Sequence, residues 1–350
     1  MIVTNAPRLP QTSAELLPAA LARRIHRLDI ASRRTFPGKL VGERRSKERG
    51  QSVEFEDHRP YAPGDDLRHI DWRVFARLDR LVLKVFREDR DLAVHILLDA
   101  SPSMLAEGTP PAGSTRPVPK LAHAARLAAA LSAIALSRNN RCSVGVFGAG
   151  PPRALAPLRG ARSIHRLHGF ILDAMASAVP TNANAAGTGG TATPRKGGSP
   201  DETFLEATTL LAARQRERGI VLVLSDFLVP NALESGLGRL AAAGTGRASF
   251  ETTCVQCCTP QEIDPAQASS ASRGGGFVGD LRLTDAETFA GREVTVSRRL
   301  LEAYVTRFEQ HTERLRSACA ARGFRFVRIR TDEEIDEAVT GAMRQLRIVG

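Results

Sequence analysis

The sequence predicts an α/β protein with a mostly parallel sheet and helices on both faces. Two apolar runs of strand length, residues 92–98 and 219–227, each lead to an aspartate at the carboxyl end, and predicted helices alternate with strands from residue 92 onward. Such alternation is typical of parallel sheets covered by helices on both sides, and uninterrupted apolar runs indicate strands buried on both faces. With 350 residues, of which 42% are hydrophobic, the chain is long enough to bury a substantial core.

The N-terminal third precedes this alternation and is less regular. Residues 13–34 are predicted to form one helix, since leucine and isoleucine side chains recur there at helical spacing. Residues 38–90 carry many charged and aromatic side chains, and residues 81–86 near their end are predicted to form a strand. We therefore expect an N-terminal helical and irregular segment, residues 1–80, packed on a main domain, residues 81–350.

The remaining elements follow in regular order after the first apolar run. Helices are predicted at residues 121–136, 163–178, 203–214, 231–242, 297–322 and 333–346, and strands at residues 141–147, 154–158, 248–257, 277–283, 292–296 and 324–329. Strands 277–283 and 292–296 are expected to pair as a hairpin. Helix 297–322 is amphipathic, and its predicted inward side chains are Leu301, Tyr304, Val305, Phe308 and Leu315.

The candidate site begins where the first apolar run ends, with Asp99, Ser101 and Ser103. One carboxylate and two hydroxyls suit Mg²⁺, because that ion binds oxygen ligands and keeps several waters. Such a donor set leaves a coordination position for an acidic group from outside. The same spacing also arises where Ser or Asp caps a helix, so this motif needs support from elsewhere in the chain.

That support comes from Asp226. If the two apolar strands are parallel neighbours, Asp226 lies beside Asp99 at the carboxyl edge of the sheet, where open α/β sheets bind ligands. Together with Ser101 and Ser103, the two aspartates predict a divalent-cation site, with Mg²⁺ as the expected ion and Mn²⁺ or Ca²⁺ as alternatives. A cap on the following helix is the structural alternative for Asp226.

The run that ends at Met104 resembles the bacterial family called domain of unknown function 58. The matching positions before the D-x-S-x-S-M motif are Gly42, Ser46, Gly50, Glu54, Phe55, Asp57, Arg59, Tyr61, Pro63, Gly64, Asp65, Asp66, Arg68, Ile70, Asp71, Trp72, Ala76 and Arg77. That family is similar to von Willebrand factor A domains. The resemblance implies a Rossmann-like fold of that type, a metal-ion-dependent adhesion site, an association with MoxR-type AAA+ ATPases, and a binding or chaperone-like role without catalytic activity.

The resemblance to von Willebrand factor A domains also implies a threonine ligand just before a helix. Thr203 opens a predicted helix, and Thr191 lies in a Gly-Gly-Thr run. Both are candidates, and Thr203 is preferred because a helix would fix its position.

The charged and aromatic side chains of the N-terminal third have two interpretations. Opposed charges this close in sequence favour Arg–carboxylate pairs, which serve either as a docking surface for a partner or as a scaffold for an irregular segment. The residues assigned to partner docking are Arg59, Tyr61, Asp65, Asp66, Arg68, Asp71, Trp72 and Arg77.

Charge and composition narrow the choice of partner and compartment. The formal net charge is +11, which favours nucleic acid, an anionic membrane or an acidic protein as partner. The charges of both signs are interleaved and aromatic residues make up only 5%, which disfavours nucleic acid. No apolar run has the length of a membrane span, and no signal pattern is evident at the N-terminus. We therefore expect a cytoplasmic protein with no membrane partner, and the five cysteines do not suggest a disulfide framework.

The predicted function is that of a non-enzymatic, metal-dependent protein-binding module that acts with a MoxR-type AAA+ ATPase in a chaperone-like or complex-assembly role. An Asp or Glu of the partner would complete the coordination of the ion. The first alternative is a Mg²⁺-dependent phosphoryl-transfer or hydrolytic enzyme with Asp99 or Ser101 as acceptor, for which no base is evident beside the site and His95 is placed one strand face away. The second alternative is a nucleic-acid-binding protein.

Overall fold

The structure is a computed structural model that describes residues 8–25, 28–30, 53–62, 67, 70–88, 92–108, 117–179, 198–214, 219–243, 250–265, 278–286, 291–342 and 344. Its contacts divide the chain into two compact units, Met1–Ser32 with Leu92–Gly350, and Arg33–Asp91. The larger unit contains the parallel sheet, and the smaller one contains a two-stranded antiparallel sheet and a short helix. The predicted boundary at residue 80 stays a prediction.

The secondary structure alternates between strands and helices from residue 93 onward. The strands are β1 (Val53–Pro60), β2 (Val82–Glu88), β3 (Ala93–Asp99), β4 (Glu107–Gly108), β5 (Val118–Pro119), β6 (Arg141–Phe147), β7 (Arg153–Ala154), β8 (Leu158–Arg159), β9 (Gly219–Ser225), β10 (Phe250–Cys258), β11 (Gly279–Thr284), β12 (Gly291–Val296) and β13 (Arg325–Arg330). The α-helices are α1 (Ser13–Leu16), α2 (Ala19–Ile25), α3 (Trp72–Leu78), α4 (Lys120–Ser137), α5 (Ile164–Ala178), α6 (Pro200–Arg214), α7 (Leu233–Ala243), α8 (Pro260–Ile263), α9 (Arg298–Ala320) and α10 (Ile335–Glu337).

The central sheet has the strand order β13-β10-β9-β3-β6-β7, with β8 also paired to β6. The five longer strands are parallel, and the short strands β7 and β8 pair antiparallel at one side. β3 lies directly beside β9, with Ala93 opposite Gly219 and Leu98 opposite Leu224. The predicted mostly parallel sheet is confirmed, as is the predicted adjacency of its two most apolar strands.

Helices cover both faces of this sheet, also as predicted. Alternate side chains of β3 point to opposite faces, as the two-residue period of a strand requires. Val94, Ile96 and Leu98 pack with α4 and α5 in one buried cluster. Leu97 packs with Phe204 of α6 in a second cluster, to which α7 and α9 also contribute. The sheet is therefore the middle of three layers.

The predicted helix over residues 13–34 is interrupted. α1 and α2 are separated at Pro18, which has no N–H to donate to the preceding turn. Both short helices pack on the sheet domain: Leu16 is fully buried, and the Ser13 hydroxyl lies 2.7 Å from Nδ1 of His168 on α5.

Two further predicted elements are less regular than expected. Within the predicted helix 333–346, α10 is followed by a π-helical turn, Ala338–Ala342, in which the Thr340 hydroxyl donates to the carbonyl of Asp336, and residues 343, 345 and 346 lie outside the described residues. Such hydrogen bonds from Thr weaken regular helix geometry. The predicted edge strand 154–158 is divided into β7 and β8, with Pro157 between them lacking a ladder donor.

The hairpin of β11 and β12 and the long helix α9 are confirmed, but α9 covers the sheet with only part of its length. Leu315 is fully buried, whereas Tyr304, predicted to face inward, is 42% exposed. α9 ends close to where β13 begins, so its N-terminal half extends toward the carboxyl edge of the parallel strands. In the described part of the chain, no helix has the length and apolarity to cross a bilayer.

His95 on β3 leads to a prediction about acid stability. Its Nδ1 lies 2.7 Å from the Ser143 hydroxyl, and burial lowers its pKa from 6.5 to about 4. Between these pH values the unfolded chain binds a proton that the folded protein does not, so stability falls as the pH drops from 6.5 toward 4. We expect the free energy of unfolding to fall between pH 7 and pH 4.5 in the wild type, and to fall by roughly 2 kcal/mol less in His95→Asn. The measurement is urea unfolding of both proteins at both pH values. An equal loss in variant and wild type would contradict this prediction.

Candidate metal centre

Parallel pairing of β3 with β9 brings Asp99 and Asp226 to the same edge of the sheet. Asp99 is the last residue of β3, and Asp226 directly follows the last residue of β9. Both are almost completely buried, with 2% and 5% of their surface exposed. The structure thus brings together the two carboxylates on which the sequence-based prediction of a cation site depended.

A continuous hydrogen-bond network joins these carboxylates. Asp99 accepts from the backbone N–H of Ser101 at 2.8 Å and from the hydroxyl of Ser225 at 2.5 Å. The hydroxyls of Ser101 and Ser103 are 3.1 Å apart, and the Ser103 hydroxyl is hydrogen-bonded to Asp226. Four of the five predicted ligands, all except the threonine, therefore form one buried polar cluster.

A buried cation that the sequence analysis did not assign to the site completes the network. The ammonium group of Lys120, at the start of α4, donates to Asp226 at 2.8 Å and to Glu262 of α8 at 2.6 Å. Its side chain is fully buried, whereas that of Glu262 is 24% exposed. The remaining Asp226 oxygen accepts from the backbone N–H of Leu228 at 3.1 Å.

The pKa values of the two aspartates are shifted in opposite directions because their surroundings differ. Burial, followed by the charge of Asp226, raises the pKa of Asp99 to about 7 against the opposing hydrogen bonds from Ser225 and Ser101. Burial would also raise the pKa of Asp226, but the charge and hydrogen bond of Lys120 outweigh it and hold that pKa below its ordinary value. Burial would lower the pKa of Lys120, yet the two carboxylates raise it, so the lysine stays charged.

Thr203 lies in the first turn of α6, and its hydroxyl donates within that turn. The acceptors are the carbonyls of Ser199 at 3.2 Å and Pro200 at 3.1 Å. The next residue, Phe204, packs against Phe147 at the end of β6, which places the start of α6 at the carboxyl edge of the sheet. A role for Thr203 as ligand stays a prediction, and the alternative Thr191 lies outside the described residues.

The predicted docking residues lie in the smaller unit, where the structure describes only some of them. Asp71 accepts from the backbone N–H groups of Arg73 and Val74, so it caps the start of α3. Trp72 is 60% exposed and Arg77 is also exposed, whereas Tyr61 is half-buried. Arg59 lies on β1, and its side chain is outside the described part. The remaining residues assigned to docking, Asp65, Asp66 and Arg68, lie outside the described residues.

Three residues of the network were not predicted from the sequence, although each has a feature that could have identified it. Lys120 is the first residue of α4, where a cation opposes the helix dipole. Ser225 directly precedes Asp226, on the same strand end. Glu262 follows Thr259 by three residues, the spacing of a capping box. That spacing indicates a local role at the start of α8 and gives no indication of the contact with Lys120.

The donor set of the site consists of oxygen atoms. In the described ranges, no group of three or more His, Cys, Asp or Glu side chains is placed to hold a metal ion, and the candidate site offers two carboxylates and two hydroxyls. Ser101 and Ser103 suit this role, because adjacent ligands of an octahedral Mg²⁺ bound at about 2.1 Å are roughly 3 Å apart. Two neighbouring buried carboxylates, Asp99 and Asp226, would also be stabilised by a divalent cation. These four residues therefore fit a hard cation.

These features define an α/β protein with a candidate cation site at the carboxyl edge of its parallel sheet. The chain belongs to the family described as protein of unknown function DUF58, whose model matches residues 57–314. The matched region contains every residue of the hydrogen-bond network.

Two mycobacterial proteins are similar over most of the chain. They are uncharacterized protein Rv1480 of Mycobacterium tuberculosis and uncharacterized protein Mb1516 of Mycobacterium bovis, each 24% identical over 314 residues, 90% of this chain and 86% of the relative. A solved structure described as von Willebrand factor type A from Catenulispora acidiphila is 14% identical with a TM-score of 0.25, and the match covers 68% of this chain and 44% of that chain. The present chain thus spans less than half of that structure. Since both relatives are uncharacterized, the function has to be inferred from the site itself.

Gly148 provides a test of how tightly the site is built. It has φ +90°, and a Cβ placed there would lie 2.5 Å from the backbone nitrogen of Ser101 and 2.8 Å from Oδ1 of Asp99. We therefore expect Gly148→Ala to destabilise the protein by about 1–3 kcal/mol, measured by urea unfolding. The matched control is Gly169→Ala, because Gly169 lies inside α5 with open space around it and alanine favours helix. Equal stability of the two variants would contradict the prediction.

Proposed function

We propose that this chain is a metal-dependent protein-binding module without catalytic activity, which works with a MoxR-type AAA+ ATPase in a chaperone-like or complex-assembly role. The observation that carries the proposal is the buried network of Asp99, Ser101, Ser103 and Asp226 at the carboxyl edge of the sheet. Open α/β sheets bind their ligands at this edge.

The chemistry of the network suits recognition of a carboxylate through a cation. A bound Mg²⁺ supplies positive charge and a coordination position for an outside oxygen. Ser101 and Ser103 are neutral donors and add no negative charge, and Lys120 offsets the charge of Asp226. The site would therefore retain a net attraction for an Asp or Glu side chain of a partner.

Exposed apolar side chains close to the network suit a protein as the ligand. Leu228, whose backbone N–H bonds to Asp226, is 46% exposed. Tyr304 on α9 is 42% exposed, and the charges of Glu262 and Lys120 act on its hydroxyl. An acidic side chain flanked by apolar residues would match this arrangement, and the net charge of +11 would favour approach of an acidic partner. The ATPase class of the partner is inferred from the family resemblance.

A histidine that the enzymatic alternative could use as a base, His311 on α9, lies beside the network. Its ring is hydrogen-bonded to the backbone of Phe227, and it senses the charge of Asp226. However, Nε2 of His311 is enclosed by protein and has no hydrogen-bond partner, and a general base has to reach its substrate directly or through one water. His311 is therefore poorly placed to act as the base of a hydrolytic or phosphoryl-transfer enzyme.

The proposal predicts that Asp99→Asn abolishes metal-dependent binding while keeping the fold. Asparagine has nearly the shape of aspartate and keeps an acceptor for the N–H of Ser101, but it lacks the charge. In Mg²⁺, we expect Asp99→Asn to bind a purified MoxR-type AAA+ ATPase at least about tenfold more weakly than the wild type does. The wild type in EDTA should lose affinity by a similar factor. Binding is measured by calorimetry or surface plasmon resonance.

The matched control is Asp173→Asn, the same chemical change at an exposed position on α5, which should leave the affinity unchanged. Equal affinity in Mg²⁺, in EDTA and in Asp99→Asn would reject metal-dependent binding. A complete lack of binding by the wild type would reject the ATPase as partner.

A further inference from the structure

Lys120 occupies an unusual position for a lysine. It is the first residue of α4 and has no exposed surface, although its ammonium group is charged. The position is fixed by backbone contacts: β4 pairs with β5 directly before α4, and the N–H of Lys120 donates to the carbonyl of Ala106 at 3.0 Å. Ala106 itself follows the D-x-S-x-S segment by three residues. The same short stretch of chain therefore positions both the hydroxyl donors and the lysine.

Glu262 is held in place independently of the lysine. One of its carboxylate oxygens accepts from the backbone N–H of Thr259 at 2.8 Å, and the N–H of Glu262 donates to the Thr259 hydroxyl at 3.1 Å. The other oxygen faces Lys120 at 2.6 Å. The lysine thus lies between a carboxylate that belongs to the candidate cation site, Asp226, and one that does not.

This arrangement has a direct electrostatic consequence. The affinity of a carboxylate site for a divalent cation depends on how much negative charge surrounds the ion. The positive charge of Lys120 neutralises one negative charge beside Asp226, and Glu262 adds one negative charge on the other side of the lysine. Because all three groups are in hydrogen-bond contact, a change at either Lys120 or Glu262 acts on the ion at short range.

We infer that the Lys120–Glu262 pair sets the divalent-cation affinity of the site, with Lys120 weakening it and Glu262 strengthening it. The inference rests on the cation site of the proposed function and assigns its regulation to two residues that are not ligands. Both are positioning residues that act on the ion through Asp226. Because Lys120 lowers the affinity of the site for Mg²⁺, the ion would bind and dissociate as the Mg²⁺ concentration changes. A partner held through the ion would bind and dissociate with it.

An ordinary structural ion pair would behave differently. If Lys120 and Glu262 only held α4 and α8 together, loss of either residue would loosen the site, and both variants would bind a cation more weakly. The inference predicts effects of opposite sign, which loss of structure cannot produce. Opposite signs are therefore the decisive observation.

The experiment is a calorimetric titration of the full chain with Mg²⁺, repeated with Mn²⁺, for the wild type and three variants. We expect Lys120→Met to bind at least about tenfold more tightly, since a full positive charge is removed from beside the ion. Glu262→Gln should bind more weakly by a similar factor, because glutamine keeps the acceptor for the Thr259 N–H but loses the charge. Lys120→Arg keeps the charge and should stay within about threefold of the wild type.

Thermal unfolding gives a second measure that does not depend on any partner. Lys120→Met leaves Asp226 without its cation, so the variant should melt below the wild type in EDTA and gain more than the wild type on addition of Mg²⁺. If Lys120→Met does not fold in EDTA, it is refolded in Mg²⁺ and its affinity is compared with that of the wild type by stepwise removal of the ion with a chelator; release at the same or a higher free Mg²⁺ concentration than the wild type overturns the inference.

The outcomes separate this inference from the proposed function. Metal binding by the wild type with unchanged or weaker binding by Lys120→Met overturns the inference and leaves the cation site intact. Binding by Lys120→Met alone supports the inference and rejects metal dependence of the native chain. A lack of binding by both at millimolar concentrations overturns both.

Discussion

The parallel pairing of β3 with β9 is the constraint on which the candidate site depends. The register sets Leu98 opposite Leu224, so Asp99 and Asp226 leave the sheet together. At the other end of the pair, a Cβ on Gly219 would lie 2.1 Å from the carbonyl oxygen of Ala93, so a glycine is required where the strands first meet. A shift of one residue in this register would turn the side chains of one strand to the other face of the sheet, so the buried faces of β3 and β9 strongly specify this pairing.

Because Asp99 and Asp226 are buried, placing them close together is electrostatically unfavourable, and nearby hydrogen-bond donors offset this cost. Two carboxylates away from water are unfavourable unless they are hydrogen-bonded or paired. Asp99 is held by Ser101 and Ser225, and Asp226 is paired with Lys120. The network therefore allows a strongly polar site to exist inside a core that is otherwise packed with aliphatic side chains.

The sequence predicted the parts of the structure that depend on local patterns. Apolar runs located β3 and β9, and their terminal aspartates together with the two serines located the site. It did not reveal Lys120 and Glu262, because they are 142 residues apart and only the tertiary fold brings them together. The interruption of the N-terminal helix could have been predicted, because Pro18 is visible in the sequence and lacks the N–H that a continuous helix needs. The exposure of Tyr304 was missed because helical spacing identifies an amphipathic face but not the length of that face that a neighbouring layer covers.

The two-residue ladder of β4 and β5 joins the two stretches of chain that supply the serines and the lysine of the site. Glu107 pairs with Pro119 and Gly108 with Val118, directly beside the serines and the start of α4. Nine sequence positions, 109–117, lie between the two strands of this ladder and include three prolines and one glycine, and adding residues there would cost little chain entropy. The ladder would thus let the chain accept new segments next to the site while leaving the carboxylates, hydroxyls and lysine where they are.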